Sequence, residues 1–210
     1  RISIHCVVGQ VSIESLGAIF APSSKQASSN YGVGYDGRIG MYVEERDRSW
    51  CTSSSANDNR AVTIEVASDT YDPYKVTSAA YSGLLDLVTD ICRRNGKSKL
   101  VWFGDKNTTL AYTPKSNEMV LTVHRWFANK SCPGDYLYNL HPQIVTEVNR
   151  RLSGGTVNTG TAVSYQVKVT AKDGLNCRTA PISGSVVTAY ENGTILNISK
   201  EQNGWGYTGV

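Results

Sequence analysis

The sequence predicts an α/β protein in which a mixed β-sheet is flanked by helices, followed by a small all-β unit. Three observations support this fold class. Apolar residues recur with a helical period in two segments before residue 152, and short segments of β-type composition lie between and before them. Only short strands and turns are predicted after residue 163. Helices interleaved with strands are typical of a sheet on which helices pack.

The helices of the first unit are predicted from apolar spacing and from their ends. From Ser78 to Asn95 the apolar residues follow the i, i+3, i+4, i+7 pattern, and Gly96 follows as a C-cap. A second helix is predicted from Pro142 to Leu152, because proline is favoured in the first turn of a helix. A short helix is expected from Ser12 to Phe20.

Six segments of the first unit are predicted to be strands of one mixed sheet. They are Ile2–Val8, Tyr31–Tyr35, Arg38–Val43, Ala61–Ala67, Lys99–Phe103 and Val120–His124. The dipeptide Asp36-Gly37 between the second and third segments is a hairpin-turn signal.

The second unit, residues 164–210, is divided by turn residues at short, regular spacing. Its predicted strands are Gln166–Thr170, Leu175–Arg178, Ser185–Tyr190 and Thr194–Lys200. This pattern is typical of a small barrel or sandwich. Residues 153–163 are small and polar, so we predict a flexible linker between a domain of residues 1–152 and this unit.

Composition narrows the possible partners. The net charge is +3 and the charges are interspersed, which argues against nucleic-acid binding but suits an anionic polymer such as a bacterial cell wall. The apolar runs are too short for membrane insertion. The oligomeric state is left open.

The cysteine pattern and the first residues bear on localisation. Five cysteines without tight spacing do not resemble a disulfide framework, which fits synthesis in a reducing cytoplasm. The first residues contain no apolar segment of a signal peptide. The sequence starts with Arg rather than Met, so removal of a targeting segment from the N-terminus remains an alternative.

Three scattered residues form a candidate zinc site. His5 and His124 each follow an apolar strand-like run, and Cys132 precedes Pro-Gly at a tight turn. Two imidazoles and a thiolate are good zinc ligands, and a three-ligand set leaves one position for water, as in catalytic zinc sites. His141 is expected to be a surface or capping residue. A nucleophilic Cys/His pair that uses Cys6, Cys51 or Cys132 remains an alternative.

Side-chain alternation predicts that a third strand contributes to the same groove. Ile2 and Ile4 share one face of their strand, which places His5 on the other, and the same reasoning places His124 opposite Val123. In Ala61–Ala67 it separates Glu65 from the apolar residues. If these strands are neighbours, Glu65 lies near the metal as a candidate proton shuttle.

Further side chains are candidates for the groove. Lys130, two residues before Cys132, is a candidate for stabilising the oxyanion of amide hydrolysis. Tyr31 opens a strand beside Gly32 and Gly34 and is a candidate to point into the groove, and Trp50 is a candidate wall for the substrate; for both residues, packing within the protein is the alternative.

Over residues 1–152 the chain resembles the zinc-dependent N-acetylmuramoyl-L-alanine amidases of the type 2 family, which are homologues of the peptidoglycan recognition proteins and include phage endolysins. The motifs that carry the resemblance are Ile-x-Ile-His5, the segment from Asn30-Tyr31 to Ile39, the segment from Asn57 to Glu65, and His124 through Lys130-Ser-Cys132-Pro-Gly. The resemblance implies a fold in which a mixed sheet is flanked by helices, and hydrolysis of the amide between N-acetylmuramic acid and L-alanine.

The resemblance also implies roles for individual residues. His5, His124 and Cys132 match the zinc ligands, Lys130 matches the family's lysine, and Glu65 matches the glutamate of part of the family. Tyr31 matches a tyrosine that other members carry beside the site. Asn30, at the start of the same motif, is expected to contact the substrate, as is Trp50. Cys51 lies near a position where some relatives carry histidine and is assigned no role.

The second unit resembles a bacterial SH3-like cell-wall-binding domain, although it is shorter than usual. The matching segments are Leu175-Asn-Cys-Arg-Thr-Ala-Pro181 and Asn203-Gly-Trp205. Together the two resemblances imply an endolysin or autolysin that is made in the bacterial cytoplasm and acts on the peptidoglycan of the wall. A non-catalytic peptidoglycan-binding protein and a cysteine peptidase acting on the stem peptide are the alternatives.

Overall fold

The computed structural model describes residues 1–154, 161–178, 186–202 and 205–208. The chain divides into two compact units, Arg1–Gly154 and Gly155–Val210. Most of the linker expected over residues 153–163 lies outside the described residues. Among those that are described, no helix is both long and apolar enough to cross a membrane.

The first unit is a six-stranded mixed sheet with helices packed on it, as predicted. The strands are β1 (Ile2–Val8), β2 (Tyr31–Val33), β3 (Ile39–Met41), β4 (Val62–Ser68), β5 (Lys99–Val101) and β6 (Glu118–Val123). The helices are α1 (Ile13–Phe20), α2 (Ser55–Asp58), α3 (Ser78–Arg94), α4 (Lys106–Ala111) and α5 (Gly134–Leu152). The strand order is β3-β2-β4-β1-β6-β5, and only the β2–β3 pair is antiparallel.

The core lies on one face of this sheet, beneath α3 and α5. Ile4 of β1 pairs with Ile64 of β4 and Val123 of β6, and all three side chains are fully buried. Residues that are paired across neighbouring strands point to the same face. The alternation therefore sends the next residues of β1 and β4, His5 and Glu65, to the opposite face.

Helix α5 begins eight residues before the predicted start, and Pro142 lies inside it. A proline in a helix interior removes a backbone hydrogen bond. Here the helix continues through it because an apolar stripe runs along both halves and packs into the core: Leu137, Leu140, Ile144 and Val148. His141 lies on this stripe and is fully buried, so its expected place on the surface is wrong. Its Nδ1 donates to the Leu137 carbonyl at 2.7 Å.

The predicted strands and helices agree with the structure best where the periodic pattern is long. Helix α3 matches its prediction to within one residue, and α1 follows its N-cap Ser12. The two short helices α2 and α4 were not predicted, since four and six residues are too few to show a helical period.

The second unit contains only strands among its described residues, in agreement with the predicted small all-β part. The strands are β7 (Thr161–Lys168), β8 (Leu175–Arg178), β9 (Val186–Tyr190), β10 (Ile195–Gln202) and β11 (Trp205–Tyr207). One sheet has the order β11-β10-β7, and the other pairs β8 with β9. Val169, Leu196 and Ile198 form its small buried cluster. Residues 179–181 and 203–204 of the two SH3-like motifs lie outside the described residues.

Candidate metal centre and active site

Three neighbouring parallel strands bring His5 and Glu65 together on the face of the sheet opposite the core, and His124 lies next to them. His5 is paired directly with Glu65 across β1 and β4, and His124 follows the last residue of β6. The two imidazole rings are 5.1 Å apart, and His5 Nδ1 lies 3.9 Å from Glu65 Oε1. The structure thus brings together the three residues that side-chain alternation selected.

Cys132 reaches the same place from a loop that is closed on itself. The Arg125 backbone N–H donates to the Cys132 carbonyl at 3.0 Å, and the Arg125 guanidinium donates to the Ser131 carbonyl at 2.5 Å. Gly134, whose φ of 79° favours glycine, then turns the chain into α5. The Cys132 thiol lies 3.4 Å from His5 Nδ1.

These groups have the composition and spacing of a metal site. Donor atoms of His5, His124 and Cys132 lie within 4.8 Å of one another. Burial, and to a lesser degree His124, lower the pKa of His5 to about 3, so its ring is neutral at pH 7 and offers a lone pair. Ser3 Oγ lies 3.1 Å from His5 Nε2, which leaves Nδ1 to face Cys132. Because His5 is neutral, its contact with Glu65 is not an ion pair.

Glu65 is a buried carboxyl group with one free oxygen. Burial raises its pKa to about 7, while the Cys51 thiol, which donates to Oε1 at 3.6 Å, opposes the shift. Oε2 is buried and has no hydrogen-bond partner among the described residues. A carboxyl group that titrates near neutrality is suited to accept and return a proton.

Cys51 also belongs to the site, although the sequence assigned it no role. Its thiol, His5 and Glu65 form a second group of potential ligands within 4.8 Å. Burial and the charge of Glu65 raise the pKa of Cys51 well above its usual value, so it is a thiol rather than a thiolate. The protonated thiol acts as a hydrogen-bond donor that orients Glu65.

A cavity of about 440 Å³ opens beside these residues. Trp50, Lys130, Ser53 and His124 are among the residues that line it. Trp50 and Lys130 are exposed, so both side chains are accessible from this cavity. Ser53 Oγ lies 3.2 Å from His124 Nε2.

Asp58 holds the loop that carries Cys51 and Ser53. Its carboxylate accepts hydrogen bonds from the backbone N–H groups of Cys51 and Thr52 at 3.1–3.2 Å, and also from the Thr52 hydroxyl. The sequence pattern does not single out Asp58, because its bonds to residues six and seven positions earlier depend on how the loop folds back onto α2.

Tyr31 does not belong to the site. It is paired with Ile64, whose side chain is in the core, so the Tyr31 ring points to the face opposite Glu65. Its hydroxyl donates to Glu45 at 2.8 Å. The prediction that Tyr31 points into the groove is wrong because β2 and β4 are aligned with Gly32, not Tyr31, beside Glu65.

Asn30 is a structural residue rather than a substrate contact. Its side chain is fully buried. Its Oδ1 accepts from the Thr63 backbone N–H at 3.0 Å, and its Nδ2 donates to the carbonyls of Val43, Glu44 and Asp47 at 3.1–3.3 Å. These bonds connect β4 with the loop that follows β3. They leave no polar atom of the Asn30 side chain for a ligand.

Comparison with known proteins links this geometry to one family. The N-acetylmuramoyl-L-alanine amidase family matches residues 1–135. No curated protein compared with the chain is a significant match. Among solved structures, PlyL is similar with a TM-score of 0.51 at 14% identity over 75% of this chain and 85% of PlyL.

Two further structures are similar to the chain. The catalytic domain of XlyA has a TM-score of 0.50 at 11% identity over 70% of this chain and 84% of its own. The amidase LysC from Clostridium intestinale has a TM-score of 0.48 at 16% identity, with 72% and 83% covered. At such identities, PlyL and XlyA establish a shared fold.

We predict that Asn30→Ala lowers stability rather than substrate affinity. The substitution leaves buried backbone groups without partners, so the free energy of unfolding should fall by about 2–3 kcal/mol. Asn107→Ala on the exposed surface of α4 is the control and should change it by less than about 0.5 kcal/mol. Denaturant unfolding measures both. If the Asn30→Ala protein is as stable as the unsubstituted one but has a raised KM, the prediction is wrong and Asn30 contacts the substrate.

Proposed function

From the premise that the chain belongs to the N-acetylmuramoyl-L-alanine amidase family, we propose how its own residues carry out the reaction. As a member, it is a peptidoglycan hydrolase that cleaves the amide between N-acetylmuramic acid and L-alanine. Zinc dependence, the roles of individual residues and action as an endolysin or autolysin are parts of the proposal.

We assign one zinc ion to His5, His124 and Cys132. The donor set fits this ion: two imidazoles, of which His5 is held neutral by burial, and one thiol lie within 4.8 Å of one another. When bound there, zinc would supply a Lewis acid that polarises the scissile carbonyl and lowers the pKa of water. Cys132, whose pKa is raised by Cys6 and by burial, would bind the ion as a thiolate, because a coordinating cation lowers the pKa of a thiol and the proton is released to water.

Glu65 is the proposed proton carrier. Its Oε2, which has no partner in the described parts of the chain, is available to take the proton of the attacking water and to return it to the nitrogen of the leaving L-alanine. Cys51 holds the other oxygen, so the carboxyl group keeps one orientation. The observation that carries the proposal is this buried oxygen, without a hydrogen-bond partner among the described residues, on a carboxyl group whose Oε1 lies 3.9 Å from His5 Nδ1.

Lys130 and Trp50 are assigned to the substrate. Lys130 lines the cavity beside His124 and forms no ion pair with a carboxylate in the described parts of the chain. Its ammonium group would stabilise the negative charge that develops on the carbonyl oxygen. Trp50, 55% exposed, would form a wall for the sugar or the peptide.

A cysteine peptidase has one supporting observation, the 3.4 Å contact between Cys132 Sγ and His5 Nδ1. Cysteine nucleophiles need a lowered thiol pKa. Here the pKa of the thiol is raised and that of the imidazole is lowered, so the pair is neutral. The electrostatics therefore favour the amidase. The second unit, as an SH3-like domain, is proposed to hold the enzyme on the wall.

The proposal predicts metal-dependent release of new L-alanine amino termini from purified peptidoglycan. Release should stop after chelation and return when zinc is restored. Glu65→Gln keeps the shape of the side chain but cannot accept a proton, so it should lower turnover by about 10²- to 10⁴-fold. Gln143→Glu, on the exposed surface of α5, is a control for altered charge. Release that persists without metal, or in Glu65→Gln, would contradict the mechanism.

Lys130→Ala should keep zinc yet lower kcat by about 10²- to 10³-fold, the usual effect of removing one oxyanion donor. Lys25→Ala, an exposed lysine outside the cavity, is the matched control. Steady-state hydrolysis of a soluble muropeptide, with zinc measured in the same samples, tests this. An unchanged kcat would remove Lys130 from the mechanism.

A further inference from the structure

A second cavity, of about 520 Å³, lies in the first unit and has no part in the proposed catalysis. Its lining residues include Ser54, which also lines the catalytic cavity, and Phe127, three residues after His124. The remaining lining residues are Arg1, Ala56, Asn57, Asn59, Arg60, Lys106 and Leu110.

The lining of this cavity is positively charged and contains no carboxylate. Arg1, Arg60 and Lys106 contribute three cations. None of them forms an ion pair with a carboxylate in the part of the chain that the structure describes. Burial and the neighbouring charge of Arg60 lower the pKa of the Arg1 guanidinium. The two like charges thus lie close enough to interact, and no carboxylate lines this cavity among the residues that the structure describes.

A buried amide supports the same cations. Asn57 is fully buried, and its Oδ1 accepts from Arg1 Nη1 at 3.3 Å. Its Nδ2 is buried and has no acceptor among the described residues. Unsatisfied buried donors are rare and destabilising. This one adds a further unmet demand for an acceptor beside the three cations.

The cationic lining continues into a larger cavity of about 700 Å³, which shares Arg1, Asn59 and Arg60. The larger cavity adds four cations, Arg46, Arg48, Lys97 and Lys115, and four carboxylates, Glu45, Asp47, Asp58 and Glu118.

Three of these four carboxylates are engaged with other partners. Glu45 is paired with Arg94 at 2.8 Å and Glu118 with Lys99 at 3.0 Å, neither of which lines the cavity. Asp58 is bonded to Thr52 and the loop that it holds. Of the added cations, only Arg46 has a carboxylate partner among the described residues, Glu44 at 2.9 Å. The two cavities together are lined by seven cations and four carboxylates, so they keep an excess of positive charge.

We propose that these two joined cavities bind an anionic polymer of the cell wall whose repeating groups are phosphodiesters. Two cavities connected through Arg1 and Arg60 suit a ligand with several anionic groups in a row. Guanidinium groups match phosphate oxygens with paired hydrogen bonds. The choice of a wall polymer rests on the proposed function, which places the enzyme on peptidoglycan. Binding there would keep the catalytic cavity, which shares Ser54, close to the wall.

The test measures binding of poly(glycerol phosphate) to the full chain by calorimetry at about 0.1 M salt. The variant is the double substitution Arg60→Gln/Lys106→Gln, and the control is Lys25→Gln/Lys75→Gln, which removes two exposed charges of the first unit outside both cavities. Loss of two partly screened charge contacts should raise Kd by about 10-fold, against less than about 2-fold in the control. Unchanged hydrolysis of a soluble muropeptide shows that the variant is folded.

Three outcomes would overturn the proposal. They are no binding of the polymer, equal weakening in the variant and the control, and tighter binding of a DNA duplex of equal charge. Binding is measured with and without chelator. If hydrolysis fails while polymer binding and its dependence on Arg60 and Lys106 persist, the amidase mechanism is wrong and the polymer site stands. If hydrolysis persists while polymer binding is lost or does not depend on Arg60 and Lys106, the polymer site alone is overturned.

Discussion

The parallel register of β1 with β4 and β6 is the constraint on which the whole site depends. It aligns Ile4 with Ile64 and Val123 on the core face, and so places His5 beside Glu65 on the other face. A slip of one residue would turn apolar side chains outward and bury the reactive ones in the core. The packing energy of the core beneath α3 and α5 therefore also secures the geometry of the reactive groups.

Burial sets the chemical state of these groups. In a medium from which water is excluded, charged forms are disfavoured, and burial is the main cause that shifts His5, Glu65 and Cys51 toward neutrality. The pKa of the Cys132 thiol is raised first by its hydrogen bond with Cys6 and then by burial. Ser3 Oγ contacts His5 Nε2 and the Cys51 thiol donates to Glu65 Oε1, but Glu65 Oε2 has no hydrogen-bond partner among the described residues. A bound dication would stabilise these buried groups electrostatically. It would balance the charge of a thiolate and lower the free-energy cost of burying an ionised carboxylate nearby.

Much of this site could be predicted from the sequence because each strand reveals its own alternation. His5, Glu65 and His124 each interrupt an apolar pattern, and the turn at Cys132-Pro-Gly is local. Relations between strands are not encoded locally. Tyr31 was misplaced because its alignment with Ile64 depends on how β2 pairs with β4.

Other errors have the same origin in tertiary packing. Asn30 bonds to three carbonyls of a loop more than ten residues away, which no local pattern shows. Helix α5 runs through Pro142 because its apolar stripe, including buried His141, packs into the core. Cys51 becomes part of the site through tertiary contacts of its loop: Asp58 of α2 accepts from its backbone N–H, and Ser49 Oγ lies 2.7 Å from Thr63 Oγ1 of β4.

The central claim is that His5, His124 and Cys132 form a single zinc site, and the most direct measurement is the zinc content and affinity of the purified chain. Titration against a competing chelator should give one ion per chain. Cys132→Ser should weaken binding by more than about 100-fold, while Cys177→Ser in the second unit should leave it unchanged. A chain that binds no zinc, or whose zinc affinity does not depend on Cys132, would contradict the account.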